Sequence, residues 1–435
     1  MRLSGTKTSS VNQYNGLGDQ LYDLGGARPT LDLNFSSNES LVDSVTGKTL
    51  VDHTRQSSAT YVDGDGVIRT ASDNVPRFDH DPTTGESLGL LVEESRQNLL
   101  EYSEDISQWS NTTGGSPTIT PNADTAPDGT NTATLIENTG VAAFIGDVTS
   151  YTSGTTYTFS GYFKANNGDQ VAILLYSAGA TSGFWNSKTS NVATTFDLIN
   201  GTFTTFPGAV APTTSSITDA GNGWWRCSIT ATATVTSGSS NQLIRNMSGT
   251  TEGIYAWGYQ IEAGSFPTSY IPTEGSTVTR AADVASITGT NFSSWYNDSE
   301  GTVFSDSTRQ FTVPTGKFPV VSSLNDGTTS NIITNSYITS SLAGLLVTTG
   351  GVSQVSIYPS TNASRRQFAT SFAINNFSAA VNGGDVGTDA SGTMPAVSQL
   401  RIGDMTGYNP LNGTIRRLTY WPTRLSNDTL QTITT

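Results

Sequence analysis

The chain has 435 residues, a charged fraction of 13% and a formal net charge of −15. That length allows two to four domains, each large enough to fold without stabilising disulfides or metal ions. The charged fraction is about half of the usual ~25%. Nucleic-acid binding is excluded, because phosphate recognition needs clustered Lys and Arg and the chain has no basic cluster.

The rest of the composition favours an all-β protein. The chain has 17 Phe, 16 Tyr and 7 Trp beside abundant Val, Ile and Thr, residues that favour strands and are rare in disordered chains. Its acidic residues are 25 Asp against 11 Glu, and Asp favours turns whereas Glu favours helices. We therefore expect a folded, multi-domain, all-β chain with few and short helices.

Cysteine usage and hydropathy bear on the compartment. The single Cys227 excludes a disulfide framework, and on an apolar strand face it is expected to be a small core residue. Residues 1–10 lack the apolar segment of a secretory signal, and no run of 18 apolar residues occurs. We expect a soluble protein without membrane insertion, which would act outside the cell only after another release route such as lysis.

The first two predicted regions are an N-terminal arm at 1–30 and a β-hairpin region at 31–100. The arm is polar and Gly-rich, which is typical of a segment that orders on a partner. In the second region, Asp63–Gly66 separates two short alternating runs and predicts a β-hairpin, because Asp-Gly supplies the positive φ of a tight turn. The only apolar cluster of the arm is Leu17, Leu21, Tyr22 and Leu24.

Residues 101–273 predict a β-sandwich of the jelly-roll type. Strands recur there between clusters of Gly, Asn and Ser, at a spacing that does not suit alternating strands and helices. Period-2 alternation predicts three inward-facing sets of side chains. These sets are Tyr157, Phe159 and Phe163; Trp225, Cys227 and Ile229; and Tyr255, Trp257, Tyr259 and Ile261.

A linker is predicted at 274–298 and a second sandwich at 299–435. The linker belongs to a stretch rich in Pro, Gly, Ser and Thr that is typical of a surface connector. Ser426 is the expected N-cap of a short helical turn near the C-terminus. The path of 325–365 stays open at this stage, because its Ser, Thr and Gly runs specify strand register weakly. The strands predicted in this block are Gly301–Ser305, Val320–Leu324, Phe368–Ile374, Ala379–Val381, Gln399–Ile402 and Ile415–Trp421.

Three groups of segments carry a resemblance to known protein families. Tyr61–Ala71, Pro76–Pro82 and Gly89–Leu100 resemble a segment common in phage tail and virion-surface proteins. Trp257–Gly264, Pro267–Thr273 and Thr279–Asp283 resemble the closing strand and exit of the carbohydrate-binding-module-like jelly rolls of such proteins. Arg401–Gly403, Leu411–Ile415 and Leu425–Ser426 resemble the end of a concanavalin A-like, or laminin G-like, sandwich.

The resemblance covers about residues 30–435 and implies a tail fibre, tail spike or head spike on the virion surface. It implies that 31–100 attaches to other phage structural proteins, that 101–273 is a carbohydrate-binding-module-like jelly roll and that 299–435 is a concanavalin A-like sandwich. A homotrimer is expected by similarity to fibres. Such a protein would be made in the host cytoplasm, released by lysis, and would bind host surface polysaccharide for adsorption.

Catalytic motifs are scarce in the sequence. Glycoside hydrolysis needs two carboxyls, yet no Glu occurs between Glu137 and Glu252 or after Glu300. His53 and His80 lie beside Asp without a nucleophile elbow or a second His at ligand spacing, so hydrogen-bonded turn histidines are the expected interpretation over a triad or metal ligands. We therefore expect no enzyme, with a polysaccharide depolymerase as the less favoured alternative.

No metal or cofactor is assigned from the sequence. Asp63–Gly66 has oxygen ligands but lacks the third acidic position and closing Glu of a Ca²⁺ loop, so a hairpin turn explains it. Concanavalin A-like domains often bind Ca²⁺ at a sandwich edge, which leaves room for an ion near Asp326 or Asp404 without assigning ligands.

Sugar binding would depend on exposed aromatic faces that stack on a pyranose. Trp185 and Tyr408 lie in predicted loops, and Trp224 is expected on the strand face opposite Trp225, so these three are the candidate carbohydrate-binding residues. The alternative for each is packing on a neighbouring domain or subunit. A purely structural decoration or cement protein is accordingly the main rival to a glycan-binding protein.

Overall fold

The structure of the protein is a computed structural model. It describes residues 21, 24, 26–109, 111–113, 117–139, 144–176, 192–207, 209, 211–234, 236–249, 251–309, 311 and 316–435. Over these residues the expected all-β, multi-domain class is confirmed, since strands dominate and the helices are short.

The strands, in chain order, are β1 (Leu31–Leu33), β2 (Asp52–Thr54), β3 (Ala59–Val62), β4 (Ile68–Ala71), β5 (Phe78–His80), β6 (Ser87–Val92), β7 (Arg96–Asn98), β8 (Asn111–Thr113), β9 (Thr118–Asp124), β10 (Ala133–Glu137), β11 (Phe144–Tyr151), β12 (Thr156–Ala165), β13 (Gln170–Tyr176), β14 (Val192–Asp197), β15 (Thr202–Thr205), β16 (Thr214–Asp219), β17 (Trp224–Thr232), β18 (Ser237–Asn246), β19 (Gly253–Ala263), β20 (Val278–Arg280), β21 (Val284–Thr288), β22 (Glu300–Arg309), β23 (Val320–Asn325), β24 (Ile332–Tyr337), β25 (Ala343–Thr349), β26 (Val352–Ile357), β27 (Arg365–Ala373), β28 (Asn376–Val381), β29 (Gly387–Asp389), β30 (Gln399–Ile402) and β31 (Gly413–Trp421). The helical segments are α1 (Phe35–Asn38), a 3₁₀ turn (Ile106–Gln108), α2 (Gly289–Ser293) and α3 (Asn427–Ile433).

The chain divides into two compact units, and each is built from separate stretches of sequence. Unit 1 comprises Met1–Thr54, Ser87–Glu93 and Asp283–Thr435, and unit 2 comprises Arg55–Glu86 and Glu94–Ala282. Residues 31–100 are thus shared between the units rather than forming a region of their own. The reason is strand pairing over long sequence distances: β1 pairs with β31 and β2 with β21 in unit 1, and β7 pairs with β20 in unit 2.

Unit 2 contains two six-stranded antiparallel sheets around one apolar core. One sheet has the strand order β16-β17-β12-β19-β10-β9, and the other has the order β15-β14-β13-β18-β11-β8. The predicted inward sets on β12 and β17 are confirmed, since Tyr157, Phe159, Phe163, Cys227 and Ile229 are all in the buried core, with Trp225 packed against it. Period-2 patterning therefore describes these two strands correctly.

The predicted inward set on β19 is wrong in half of its members. Tyr259 and Ile261 are in the main core, but Trp257 lies in a second apolar cluster on the opposite side of the sheet, with Tyr255 packed against it. The pairing of β19 with β12 shifts register here, and Gly258 has a φ of +62°. A β-bulge adds one residue to a strand and so reverses the faces beyond it.

Unit 1 contains two antiparallel sheets, of which the first includes the strand order β29-β28-β27-β22-β31-β6, with β1 also paired to β31. The second has the order β2-β21-β30-β23-β24-β25-β26, which gives strand structure to the segment 325–365 that the sequence left open. Asp32 and Arg417 form a buried ion pair between β1 and β31, with Nε 2.7 Å from Oδ1. Charges of opposite sign and matched geometry are what allow such groups to be buried.

Three further predictions concern the C-terminal helix, the linker and the N-terminal arm, and the structure describes residues of each. Ser426 is the N-cap of α3, as predicted, and its Oγ accepts a hydrogen bond from the amide of Thr429. The predicted linker is not a surface connector throughout, because β21 pairs with β30 and Trp295 is buried. Leu21 of the predicted arm is also buried, in a cluster with Trp421 and Leu430, whereas Leu17 and Tyr22 lie outside the described residues.

The longest helix that the structure describes, α3, has seven residues. None of the described helices has the length and hydropathy needed to cross a membrane.

Candidate functional site

Unit 2 contains a cleft of about 250 Å³, which is slightly smaller than ordinary small-molecule sites of about 300–1,000 Å³. Its walls combine aromatic, hydroxyl and carboxylate side chains. The lining residues are Thr60, Ile68, Arg69, Thr70, Glu104, Asp128, Trp257, Tyr270 and Pro272. They come from the β3–β4 hairpin, the turn before β10, strand β19 and the segments that flank the jelly roll.

The floor of the cleft is the second apolar cluster of unit 2. Trp257 and Tyr270 are 0% and 2% exposed and their ring centroids are 4.6 Å apart. Tyr162 packs edge-on against both rings. The Nε1 of Trp257 donates to the hydroxyl of Thr132 at 3.0 Å. The bulge at Gly258 thus turns Trp257 away from the main core and places it beneath the cleft.

Glu104 has the most perturbed environment among the acids of the cleft. Its Oε1 accepts a hydrogen bond from the hydroxyl of Tyr270 at 3.0 Å, and that hydroxyl lies 2.7 Å from Oγ of Ser103. Burial raises the pKa of Glu104, the Tyr270 hydrogen bond opposes this, and the negative charges of Asp128 and Glu274 raise the pKa further. A carboxyl with a raised pKa exchanges its proton closer to neutral pH than an ordinary Glu does.

The second carboxylate, Asp128, is fixed by a tight turn between β9 and β10. Its Oδ1 accepts hydrogen bonds from the amide of Thr130 at 2.9 Å and from the hydroxyl of Thr130 at 2.7 Å. Gly129 has a φ of +81°, a conformation that Gly adopts without strain and that closes the turn. The amide of Ile68 donates to the carbonyl of Pro127, so this turn is bonded to the neighbouring hairpin.

The hairpin of β3 and β4 forms the outer wall, and the prediction of a hairpin at this position is confirmed. Its turn is held by Asp63, whose Oδ1 accepts from the amides of Asp65 and Val67. Arg69, on the rim, donates from Nε to Oδ2 of Asp63 at 2.6 Å. Thr60 donates from its hydroxyl to the carbonyl of Tyr270 and so ties the hairpin to the floor.

The arrangement suits recognition of a small polyhydroxylated ligand. Carboxylates accept hydrogen bonds from hydroxyl or ammonium groups, and the hydroxyls of the wall donate or accept. The almost fully buried rings of the floor shape the bottom of the cleft beneath these polar groups. Within the described part of the chain, no group of three or more His, Cys, Asp or Glu side chains is arranged to hold a metal ion.

The three predicted carbohydrate-binding residues have different outcomes, and of the two that the structure describes, Trp224 and Tyr408, neither lines the cleft. Trp185 lies outside the described residues. Trp224 is on the face opposite Trp225, as expected, but the prediction that it is exposed is wrong. It is 2% exposed, packs in the apolar cluster with Trp257, and donates from Nε1 to the carbonyl of Thr125. The sequence pattern could not show that a second cluster covers this face.

Tyr408 is exposed, as predicted, with 66% of its surface accessible. It follows a two-residue turn in which Thr406 and Gly407 have φ values of +51° and +85°. Its backbone exchanges two hydrogen bonds of 2.9 Å with Met405, the pattern of a tight hairpin turn. The sugar contact assigned to Tyr408 stays a prediction.

The two histidines and the Ca²⁺ candidates are not among the residues that line the cleft. His53 Nε2 is 3.4 Å from Asp283 Oδ1, with both side chains buried, and His80 Nδ1 is 3.0 Å from the carbonyl of Val62. The carboxylate of Asp404 is paired with Arg401 through both oxygens. Asp326 accepts hydrogen bonds from its own loop, from Thr328 and Asn331, among others.

Sequence reasoning missed Glu104 and Asp128 as site residues. The search for carboxylate pairs considered Glu spacing within the jelly roll, whereas Glu104 precedes its first strand and Asp128 lies in a turn. The Asp128-Gly129 dipeptide was the available signal, since it predicts a turn that presents a carboxylate. Nothing in the local pattern indicated that Glu104 would reach the same place.

Comparisons with known proteins give structural neighbours only. No protein-family model matches the chain, and no curated protein matches it. The CBM40 of the Ruminococcus gnavus IT-sialidase, bound to α2,3-sialyllactose, matches with 14% identity over 33% of this chain and 88% of that one, at a TM-score of 0.30. Mouse laminin α1 domains LG4-5 match with 10% identity over 81% of this chain and 92% of that one, at a TM-score of 0.23.

A third neighbour requires a correction. Trypanosoma rangeli sialidase, in complex with the inhibitor DANA, matches with 9% identity over 69% of this chain and 60% of that one, at a TM-score of 0.27. Because enzymes are among the neighbours, the prediction that the chain is not an enzyme is withdrawn. Its basis, the scarcity of Glu, also fails, since Glu104 and Asp128 supply two carboxyls to one cleft. Similarity at TM-scores this low carries no argument for a sialidase activity.

Proposed function

We propose that the protein binds a glycan through the cleft of unit 2. The observation that carries the proposal is the convergence of two carboxylates and several hydroxyls above a buried aromatic floor, in a cavity of about 250 Å³. This volume suits one end or one branch of a glycan rather than an extended chain. The affinity of one such site would be modest, and several copies on one assembly would gain avidity.

The aromatic floor lies beneath the site without being the main recognition surface. Because Trp257 is 0% exposed and Tyr270 is 2% exposed, neither ring presents a face on which a pyranose could stack. Specificity then falls to the polar wall, where Glu104, Asp128 and Thr70 can exchange hydrogen bonds with sugar hydroxyls. Hydrogen bonds to charged acceptors are about twice as strong as neutral ones.

A glycan array with the full chain tests the proposal. Thr70 is exposed and lines the cleft, so Thr70→Trp fills the cavity without altering either carboxylate, and Thr70→Ser is the matched control. We expect the full chain and Thr70→Ser to bind at least one glycan and Thr70→Trp to lose that binding at least about tenfold, which corresponds to 1.4 kcal/mol. Binding to no glycan, or binding that Thr70→Trp leaves unchanged, would contradict the proposal.

The proposed setting is the surface of a phage virion, where the protein would act in host adsorption as a tail fibre, tail spike or head spike. The segments that resemble phage virion proteins support this setting. Of the predicted attachment region 31–100, the parts in unit 1 would contact other phage structural proteins, because the hairpin of β3 and β4 lines the glycan cleft of unit 2. We propose a homotrimer that is made in the host cytoplasm and released by lysis. Labelling of purified phage particles and a sedimentation mass of three chains are the expected results, whereas absence from particles would contradict the setting.

Tyr408 is proposed as a second, peripheral glycan contact in unit 1. Its support is an exposed ring on a tight turn. This turn is bonded to the start of β23, since the amide of Val320 donates to the carbonyl of Asn409. Stacking on a sugar requires such accessible rings. The rival structural role, a cement protein that does not touch sugar, predicts that neither Tyr408→Ala nor Thr70→Trp changes binding to host cells.

Ca²⁺ near Asp326 or Asp404 is retained as a proposal for unit 1. The pKa of Asp326 is lowered by hydrogen bonds from Thr328 and Asn331, so its carboxylate is charged at neutral pH. Removal of Ca²⁺ with a chelator is expected to lower the unfolding temperature of the full chain if an ion is bound. An unfolding temperature that the chelator leaves unchanged would contradict the binding of Ca²⁺.

A further inference from the structure

The charges that line the cleft are unbalanced. Glu104 and Asp128 each contribute a carboxylate, and Glu274 lies near enough to Glu104 to raise its pKa electrostatically. Within the described part of the chain, neither lining carboxylate has a Lys or Arg partner: Glu104 accepts from Tyr270, and Asp128 accepts from Thr130. A partly buried anion without a cationic partner raises the free energy of the folded state.

The one cation of the lining does not offset these acids. Arg69 is exposed on the rim and is committed to Asp63, with Nε 2.6 Å from Oδ2. The charge of Asp65 also acts on Arg69. The rim ion pair is therefore close to neutral, and the interior of the cleft keeps the negative charge of Glu104 and Asp128.

We infer that the cleft is selective for a glycan that carries a free ammonium group, such as a de-N-acetylated hexosamine, and that it discriminates against acidic sugars. This inference rests on the proposed glycan binding and specifies the ligand class of the same site. An ammonium group has three N–H donors and no acceptor, which matches two carboxylates that line the same cleft and have hydroxyl and amide donors as their hydrogen-bond partners. Each bond formed is charge-assisted and therefore strong.

Neutral and acidic sugars match the same walls less well. A neutral sugar can donate hydroxyl hydrogen bonds to Glu104 and Asp128 but leaves their charge uncompensated. A sugar carboxylate would place a third negative charge beside them, and like charges a few ångströms apart repel each other. The order of affinity is therefore ammonium, then neutral, then carboxylate.

Three trisaccharides separate these cases with the full chain. The first probe is the glucosamine trimer, which carries free ammonium groups. The second is the N-acetylglucosamine trimer, in which acetylation has removed those charges. The third is 3′-sialyllactose, which is anionic. By calorimetric titration at low salt, we expect the glucosamine trimer to bind about tenfold more tightly than its acetylated form, and sialyllactose to bind least. The preference is expected to shrink as salt screens the charges.

Variants that remove one carboxylate charge test whether the cleft causes the preference for the glucosamine trimer. Glu104→Gln and Asp128→Asn keep the shape of each side chain, and each is expected to reduce the preference several-fold, with the double variant removing it. Glu101→Gln, which removes an exposed charge outside the cleft lining, is the matched control and should leave the preference unchanged. Trilysine, a cation without a sugar ring, should not compete, which separates the site from general attraction to a chain of net charge −15.

The outcomes separate this inference from the proposed function. No binding of the glucosamine trimer, equal affinity for both trimers, or a preference that survives in the double variant overturns the amino-sugar selectivity. If neutral glycans still bind and Thr70→Trp removes that binding, the glycan site stands with a different ligand. If no saccharide binds at all, the proposed function is overturned as well.

Discussion

The cleft of unit 2 and the Tyr408 turn of unit 1 place aromatic rings in opposite ways. In the cleft, Trp257 and Tyr270 are almost fully buried and act as a floor under polar walls. At the turn, Tyr408 is 66% exposed, with much of its surface open to solvent. The exposure of an aromatic ring is therefore not enough to locate a candidate binding site in this chain. The cleft of unit 2 keeps its rings buried and is lined by two carboxylates instead.

The difference also separates stability from binding. A buried ring contributes to folding through the surface it removes from water and through its packing, whereas an exposed ring contributes little. Variants of the cleft floor should thus change the free energy of unfolding, and variants of the turn should change at most ligand contact. Substitutions at the floor, at the bulge beside it and at the turn test this contrast.

Trp257→Ala should have the largest effect. Removing a fully buried indole that contacts Tyr162 and Tyr270 and donates to Thr132 is expected to lower the free energy of unfolding by about 3–5 kcal/mol. Denaturant unfolding of the full chain measures this loss. A loss below about 1 kcal/mol would contradict the placement of Trp257 in a packed floor.

Gly258→Ala should come next, because it acts on the bulge that positions Trp257. The residue has a φ of +62°, and an added Cβ would lie 3.0 Å from the ring of Tyr162. We expect a loss of about 1–3 kcal/mol together with weaker glycan binding. Gly154→Ala is the control, since its φ is +80° but nothing lies within 4 Å of an added Cβ. Equal losses in both variants would mean that the contact with Tyr162 contributes nothing.

Glu104→Gln should show a pH-dependent gain in stability. Burial, opposed by the Tyr270 hydrogen bond and reinforced by Asp128 and Glu274, raises the folded-state pKa of Glu104, so ionisation destabilises the fold as pH rises through that pKa. At neutral pH the variant should therefore be more stable than the natural chain, by at most about 1 kcal/mol because solvent screens this half-buried group. At about pH 3.5, below the ordinary Glu pKa of about 4.3, the gain should vanish.

Unfolding temperatures of the two proteins at both pH values provide the test. Glu101→Gln, at an exposed position, should show no such pH-dependent difference. A gain of the same size at both pH values would contradict the account of Glu104.

Tyr408→Ala should have the smallest effect on stability. The ring is exposed, so the free energy of unfolding is expected to change by less than about 0.5 kcal/mol. Binding of glycan-coated beads by the full chain measures the proposed peripheral contact, and a moderate loss is expected there. A large loss of stability would contradict the exposed position of Tyr408 and would show that its ring packs against another molecule.

The sequence predicted strand faces wherever regular alternation holds and failed where one residue interrupts it. The inward sets on β12 and β17 follow period 2, so they were predictable. The set on β19 was not, because the extra residue at Gly258 reverses the faces and no composition signal distinguishes this Gly from a turn Gly. Trp224 was misplaced for a related reason, since its covering cluster comes from distant segments.

The division of the chain was also beyond local patterns. Leu31 pairs with Tyr420, and Asp32 meets Arg417, across almost the whole length of the chain. Such contacts depend on tertiary packing, so neither local sequence patterns nor the resemblance of short segments to phage proteins could predict them. The cleft was missed for the same reason, because Glu104, Asp128 and Trp257 become neighbours only after folding.

We expect the cleft of unit 2, and not an exposed aromatic ring, to carry the principal glycan site. The most direct measurement is glycan-array binding of the full chain beside Thr70→Trp, Thr70→Ser and Tyr408→Ala. The account predicts that Thr70→Trp loses binding at least about tenfold, that Thr70→Ser keeps it and that Tyr408→Ala reduces it only moderately. Full binding by Thr70→Trp with loss in Tyr408→Ala would contradict the account and move the site to unit 1.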